Sequence, residues 1–240
     1  MSVQSELTRL ENAKAAIKTA IEGKGVTVPD TTMLDGMAAL IESIQAGEDN
    51  TVLDALISGE IEGYYSNDRV TSIGFYSFSH KAVNSVSFNS AVFIGDSAFK
   101  NCHILSSVSF NLAEYIGDSA FYGCESLASA SFPNAGQIGI QAFSSCSALE
   151  KISFPKAEGI SEYAFEFCQS LIALILGRSD GLCDLFDADA FMGTPIESGT
   201  GYIYVPAALV DQYKAATNWT TYANQIRAIE DYPDICGGTA

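Results

Sequence analysis

Ile116-Gly-Asp-Ser-Ala-Phe121-Tyr-Gly-Cys124-Glu-Ser-Leu127-Ala-Ser-Ala130-Ser-Phe132 is followed by a near copy, Ile138-Gly-Ile-Gln-Ala-Phe143-Ser-Ser-Cys146-Ser-Ala-Leu149-Glu-Lys-Ile152-Ser-Phe154. The offset is 22 residues, and it holds in both directions. Phe99, Phe121, Phe143 and Phe165 keep it. So do Cys102, Cys124, Cys146 and Cys168, and Leu105, Leu127, Leu149 and Leu171. Ile94, Ile116, Ile138 and Ile160 open the units; Phe88, Phe110, Phe132 and Phe154 close them, with Leu176 ending the series. A degenerate first copy starts at Val70, keeps Ile73, Phe78, Val83, Val86 and Phe88, and lacks one residue after Phe78.

Each unit has two halves. The second, as in Leu105-Ser-Ser-Val108-Ser-Phe110, alternates apolar and polar residues, which predicts a short strand with one buried face. The first half is too short for a long helix and predicts a tight turn or a single helical turn. No unit can bury its apolar side alone. Stacking the units buries a continuous core beside a parallel sheet. The expected fold is an α+β repeat solenoid, a right-handed stack of about five 22-residue units with a helical N-terminal module and an α/β C-terminal cap.

The flanks follow other rules. Leu7, Leu10, Ala13, Ile17 and Ile21 have helical spacing, ended by Gly23 and Gly25. Thr32, with Asp35 three residues on, predicts the start of a second helix with Met33, Leu34, Met37, Leu40, Ile41 and Ile44 as its stripe. Gly47 to Asn50 reads as a hinge, Val52 to Ile57 as a short helix, and Ile61 and Tyr64 as part of a capping strand. Beyond Leu176, Asp189-Ala-Phe191 predicts one more Ala-Phe turn and Tyr202–Val205 a strand. Pro206 starts a helix that faces Leu209, Val210 and Tyr213 to the core; Trp219, Tyr222 and Ile226 are expected in a last helical segment. The organisation is therefore 1–46 as an attachment or oligomerisation module, 47–69 as linker and N-terminal cap, 70–176 as repeats, and 177–240 as an irregular last repeat and C-terminal cap.

Of the 240 residues 48% are hydrophobic and 17% charged, with 12 basic against 29 acidic residues and a net charge of −17. That sign repels phosphate backbones, which argues against nucleic acid and anionic membranes as partners. Met1 to Arg9 has no basic start followed by an apolar core, and no window offers the ~18–20 apolar residues of a membrane span. The sequence thus predicts no export by the standard secretory route.

The unit I-G-x-x-A-F-x-x-C-x-x-L-x-x-V-x-F, over residues 70 to about 205, resembles the BspA-type leucine-rich repeat. Ala13-Lys-Ala-Ala-Ile17 through Val26-Thr-Val-Pro29 to Ile44 resembles a helical module of tail-associated proteins from phages and prophages of Gram-positive gut bacteria. Gly201-Tyr-Ile-Tyr-Val-Pro206 through Tyr213-Lys-Ala-Ala-Thr-Asn-Trp219 resembles the closing cap of the same kind of protein. The resemblance implies recognition of a host-surface glycan or protein by a non-enzymatic chain. It also implies other tail proteins, or a second copy, as partners. The expected location is a virion tail, or the cytoplasm of the producing cell; the alternative is an adhesin on, or secreted from, the bacterial surface.

Candidate chemistry is sparse. One cysteine per 22 residues lacks the paired short spacing of a zinc site, and a buried free cysteine packs as a small hydrophobe. His80 and His103 stand at different offsets from their phenylalanines, and no nucleophile elbow, zincin or phosphate-loop motif occurs. No catalytic residue, metal or cofactor is expected. Asp180, Asp184, Asp187 and Asp189 offer oxygens for calcium, but without EF-hand spacing. The serines are more informative. Ser87, Ser109, Ser131 and Ser153 lie between the two apolar residues of each strand, and Ser85, Ser107 and Ser129 sit two before them. Alternate strand residues point to opposite faces, so both columns project away from the core as a hydroxyl-rich candidate ligand face. Tyr64, Tyr65, Tyr76, Tyr115 and Tyr122 could add stacking surface.

Overall fold

A computed structural model describes residues 63–237. The helices expected within 1–46, the hinge, the Val52–Ile57 helix and Ile61 lie outside the described residues.

Each 22-residue unit makes one turn of the solenoid and contributes to three walls. The first is the expected strand: β1 (Gly63–Ser66), β3 (Val83–Ser87), β5 (Ser107–Ser109), β7 (Ser129–Ser131), β9 (Lys151–Ser153), β11 (Ala173–Ile175), β13 (Tyr202–Val205) and β14 (Ile226–Ala228). These form two parallel sheets, β1-β3-β5-β7 and β9-β11-β13-β14. Ile226 is thus in a strand rather than the expected helical segment. It pairs with Ile203, which places it in the ladder as its last inward residue.

The second wall was not legible in the sequence. β2 (Ser72–Ile73), β4 (Phe93–Ile94), β6 (Tyr115–Ile116), β8 (Gln137–Ile138), β10 (Gly159–Ile160) and β12 (Asp184–Leu185) form one six-stranded parallel ladder. Its inward residue in the regular units is the repeated isoleucine, fully buried at Ile94, Ile116 and Ile160. Gly117 and Gly139 follow this ladder because a Cβ there would meet backbone of the preceding turn at 2.7 Å.

The third wall is the Ala-Phe turn, a ladder of hydrogen bonds that all run one way. Ser97, Phe99 and Asn101 donate their N–H groups to the carbonyls of Asp118, Ala120 and Tyr122 in the next unit; Ser119, Phe121 and Gly123 repeat this onto Ile140, Ala142 and Ser144. The intervening N–H groups close i−3 turns, as Ala98 does onto Gly95 and Lys100 onto Ser97. Two residues per turn need positive φ for this, as at Ser97 (56°) and Asn101 (58°), or Ser119 (55°) and Gly123 (69°). For a non-glycine residue that costs roughly 1–2 kcal/mol, and each turn offsets it with three hydrogen bonds to the next unit. The N–H groups of the wall face the C-terminal end. There Gly193 donates to Glu197 Oε2 at 2.7 Å, and Asp189 to Asp187 Oδ1 at 2.8 Å, so carboxylates close the positive end.

The core fills the space between the walls. Phe78, Phe99, Phe121, Phe143, Phe165 and Phe191 stack in one file, with centroids 4.9–5.7 Å apart. Phe88, Phe110, Phe132 and Phe154 make a second file. Phe191 continues the first file past Leu176, as the Asp189-Ala-Phe191 resemblance predicts, within a 3₁₀ turn at Ala188–Phe191. The cap follows: α1 (Pro195–Ser198), α2 (Val210–Ala215) and a 3₁₀ turn at Trp219–Tyr222. Pro206 stands one residue ahead of a 3₁₀ turn that leads into α2, with Leu209 and Tyr213 buried.

Candidate functional site

The strand register puts the serines where alternation predicts. Ser85 pairs with Ser107 and Ser107 with Ser129; Ser87 pairs with Ser109 and Ser109 with Ser131. Val86 and Val108 between them face the core and are buried. Ser129 and Ser131 are exposed; Ser85, Ser87, Ser107, Ser109 and Ser153 are half-buried. The hydroxyls also satisfy one another. Ser85 Oγ and Ser107 Oγ lie 2.6 Å apart, and Asn89 bridges two others, donating to Ser87 Oγ at 3.0 Å and accepting from Ser109 Oγ at 3.2 Å. Neighbouring rows repeat every ~4.8 Å, the strand spacing.

The five tyrosines do not gather on this face. Tyr65 packs inward against Phe78 and Phe88. Tyr115 stacks on Phe93 on the second ladder, and Tyr122 carries Lys100 over its ring on the third wall. Tyr76 is exposed at a positive-φ turn position. Tyr64 alone falls in register with a serine column, opposite Ser85. The tyrosines that do belong to the outer face are Tyr202 and Tyr204, which continue the columns through Ala173 and Ile175. The signal that could have found them is the same 22-residue column logic carried into the cap.

The cysteine file is buried, and it makes a contact that packing alone does not require. Cys102, Cys124, Cys146 and Cys168 donate their thiols to the carbonyls of Phe78, Phe99, Phe121 and Phe143 at 2.9–3.2 Å. Burial pushes Cys102 up to about 11 and Cys124 and Cys146 well above the ordinary thiol range. Such thiols are poor metal ligands and nucleophiles, because both roles need the thiolate. All six cysteines are free. Among the described residues no group of three or more His, Cys, Asp or Glu side chains could hold a metal ion. Asp180 pairs with Arg178 at 2.7 Å and Asp187 caps a turn, so two of the four candidate calcium ligands are already engaged. His80 lies beside Asn101 and His103 beside Glu125, on different turns. Among the described residues no helix is long and apolar enough to cross a membrane.

Residues 60–198 match the family model for the BspA type Leucine rich repeat region, in 6 copies. The chain belongs to the BspA-type leucine-rich repeat family. A leucine-rich repeat protein of Bacteroides ovatus ATCC 8483 is similar in structure, with a TM-score of 0.53 and 24% identity over 70% of this chain and 42% of that one. A leucine rich cell surface protein of Faecalibacterium prausnitzii A2-165 aligns at a TM-score of 0.44 and 19% identity, over 70% of this chain and 48% of that one. The chain thus spans less than half the length of these solved relatives. No protein with a curated description matches it. At 24% identity the Bacteroides structure supports the fold of this member of the family, not a ligand.

Proposed function

We propose that this BspA-type chain is a non-catalytic binding protein whose serine-bearing sheet face holds a polar polymer, such as a glycan, on a host surface. One observation carries the reading: six serines stand in two in-register columns on the sheet face opposite the core, and Ser153 follows one repeat on in β9. Hydroxyls both donate and accept, and a fixed spacing of ~4.8 Å repeats each weak contact along a repeating ligand. We assign residues 1–46 to attachment or self-association and place the chain on a phage or prophage tail, on the N-terminal resemblance.

The test replaces Ser109 and Ser131 with Lys in the full chain and measures adsorption to host cells together with a glycan-array screen. Lost adsorption and lost array signal, with an unchanged circular dichroism spectrum, are expected. Unchanged binding would move the site to the loops or to the cap around Tyr202 and Trp219. Finding the protein in the envelope fraction of the producing bacterium, and none in particles, would replace the tail assignment with the cell-surface one.

A further inference from the structure

The outer sheet face changes character along the solenoid axis. The 22-residue period carries the serine columns of β3, β5 and β7 onto Lys151 and Ser153 in β9 of the second sheet, where the register continues them to Ala173 and Ile175 in β11 and Tyr202 and Tyr204 in β13. Ala173, Ile175 and Tyr204 are only 3%, 5% and 2% exposed, yet they form a cluster separate from the core. Among the described residues, one segment outside the ladder packs on them. A 3₁₀ turn at Ile229–Asp231 and the short helix α3 (Pro233–Cys236) fold back over the outer face, with Ile229 and Cys236 packed on the cluster. The Tyr232 ring stands edge-on to Tyr204 at 5.4 Å and 66°.

This cover is lightly held. Among the described residues its hydrogen bonds to the body are two: Ala207 N–H donates to Glu230 Oε2 at 2.9 Å, and Lys151 Nζ donates to the Ile235 carbonyl at 3.1 Å. Tyr232, Ile235 and Cys236 donate their N–H groups within the segment. Every residue from Glu230 to Ile235 is exposed. β13 beneath it is paired on both sides and buried at Ile203, Tyr204 and Val205. Few buried apolar contacts and exposed hydrogen bonds are the marks of a segment that opens locally, well below the free energy of global unfolding.

We propose that Ile229–Cys236 is a displaceable strap over an aromatic and aliphatic continuation of the serine face. Opened, it lengthens that face by Ala173, Ile175 and Tyr204, beside Tyr202, which already carries Arg227 over its ring at 4.6 Å. Tyrosine rings supply the flat apolar surface that hydroxyls lack, which suits a pyranose chain with polar edges and apolar ring faces. That choice of ligand rests on the serine face being the binding face; the opening of the strap does not.

Hydrogen exchange on the full chain tests the opening. The amides of Tyr232, Ile235 and Cys236 should be protected at least about 100-fold less than those of Leu176 and Ile203, which donate across the ladder to Tyr204 and Gln225. Equal protection would make the segment an integral part of the cap and overturn the proposal. The variant Tyr232→Ala, made in the full chain, should raise the fluorescence of an apolar-surface dye and leave the thermal midpoint of the solenoid unchanged. Unaltered dye binding, or a midpoint that falls with the substitution, would overturn it equally. Neither readout involves Ser109 or Ser131, so a failure of the serine reading leaves both measurements intact.

Discussion

The regular repeats and the C-terminal cap solve the same burial problem by opposite means. Between Phe99 and Phe165 the core side chains pack on their own copies: rings in the inner file lie within 2–11° of parallel, and the buried thiols donate to main-chain carbonyls. Past Phe191 the phenylalanine file has no further copy to stack on. The cap uses large unlike residues, each with one polar atom aimed at a strand or turn it seals. Trp219 Nε1 donates to the Cys183 carbonyl at 2.8 Å, and the Tyr213 hydroxyl accepts from the Cys183 N–H at 2.8 Å. Tyr222 donates to the Ala188 carbonyl, and Asn218 Nδ2 to the Leu185 carbonyl at 2.7 Å. Their rings meet nearly at right angles, Tyr213 on Trp219 at 82° and Tyr222 on Phe191 at 87°. Translation satisfies the interior of a solenoid, while its end has unpaired groups that only particular side chains can reach.

That contrast can be broken by substitution. The largest effect is expected inside a repeat. Phe121→Ala removes a ring that stacks on Phe99 and Phe143, and should cost ~3–5 kcal/mol in denaturant unfolding; a loss under about 1 kcal/mol would mean the file is not the core. In the cap, Tyr213→Phe keeps the ring but leaves the Cys183 N–H buried without its acceptor, so ~1–3 kcal/mol should be lost with little change in packing.

Alkaline pH compares the regions through their thiols. Burial raises Cys102 to about 11 in the repeats and Cys183 to about 12 in the cap, from an ordinary 9.0. The folded state therefore favours the protonated thiols. Their contribution is complete below pH 9, falls above it by up to one proton per thiol, and is exhausted once pH passes the folded values. Denaturation midpoints measured from pH 8 to 11 should fall, and Cys102→Ala should flatten the curve. Glu197→Gln, which removes the charge that closes the one-way ladder at Gly193, should cost about 1 kcal/mol and lose part of its effect in high salt. Ser109→Lys is expected to change stability by no more than about 0.5 kcal/mol, because it points off the core; a large loss would mean that its bond to Asn89 holds the strand edge.

The sequence by itself determined the period, the core columns and the face on which the serines stand. Both inferences rest on fixed separations: 22 residues brings like onto like, and two residues along a strand returns to the same face. The structure alone decided what has no fixed separation or no residue signature. The positive-φ positions of the third wall fall on Ser97, Ser119, Gln141 and Tyr163, where stacking rather than residue type imposes the conformation. The second ladder is built from two-residue strands, too short for any alternation to register. The thiol bonds depend on a preceding unit placing the Phe78 or Phe99 carbonyl beneath each sulfur. The strap joins Lys151 to Ile235 across 84 residues, a contact made once, and a pattern that occurs once leaves no period to read.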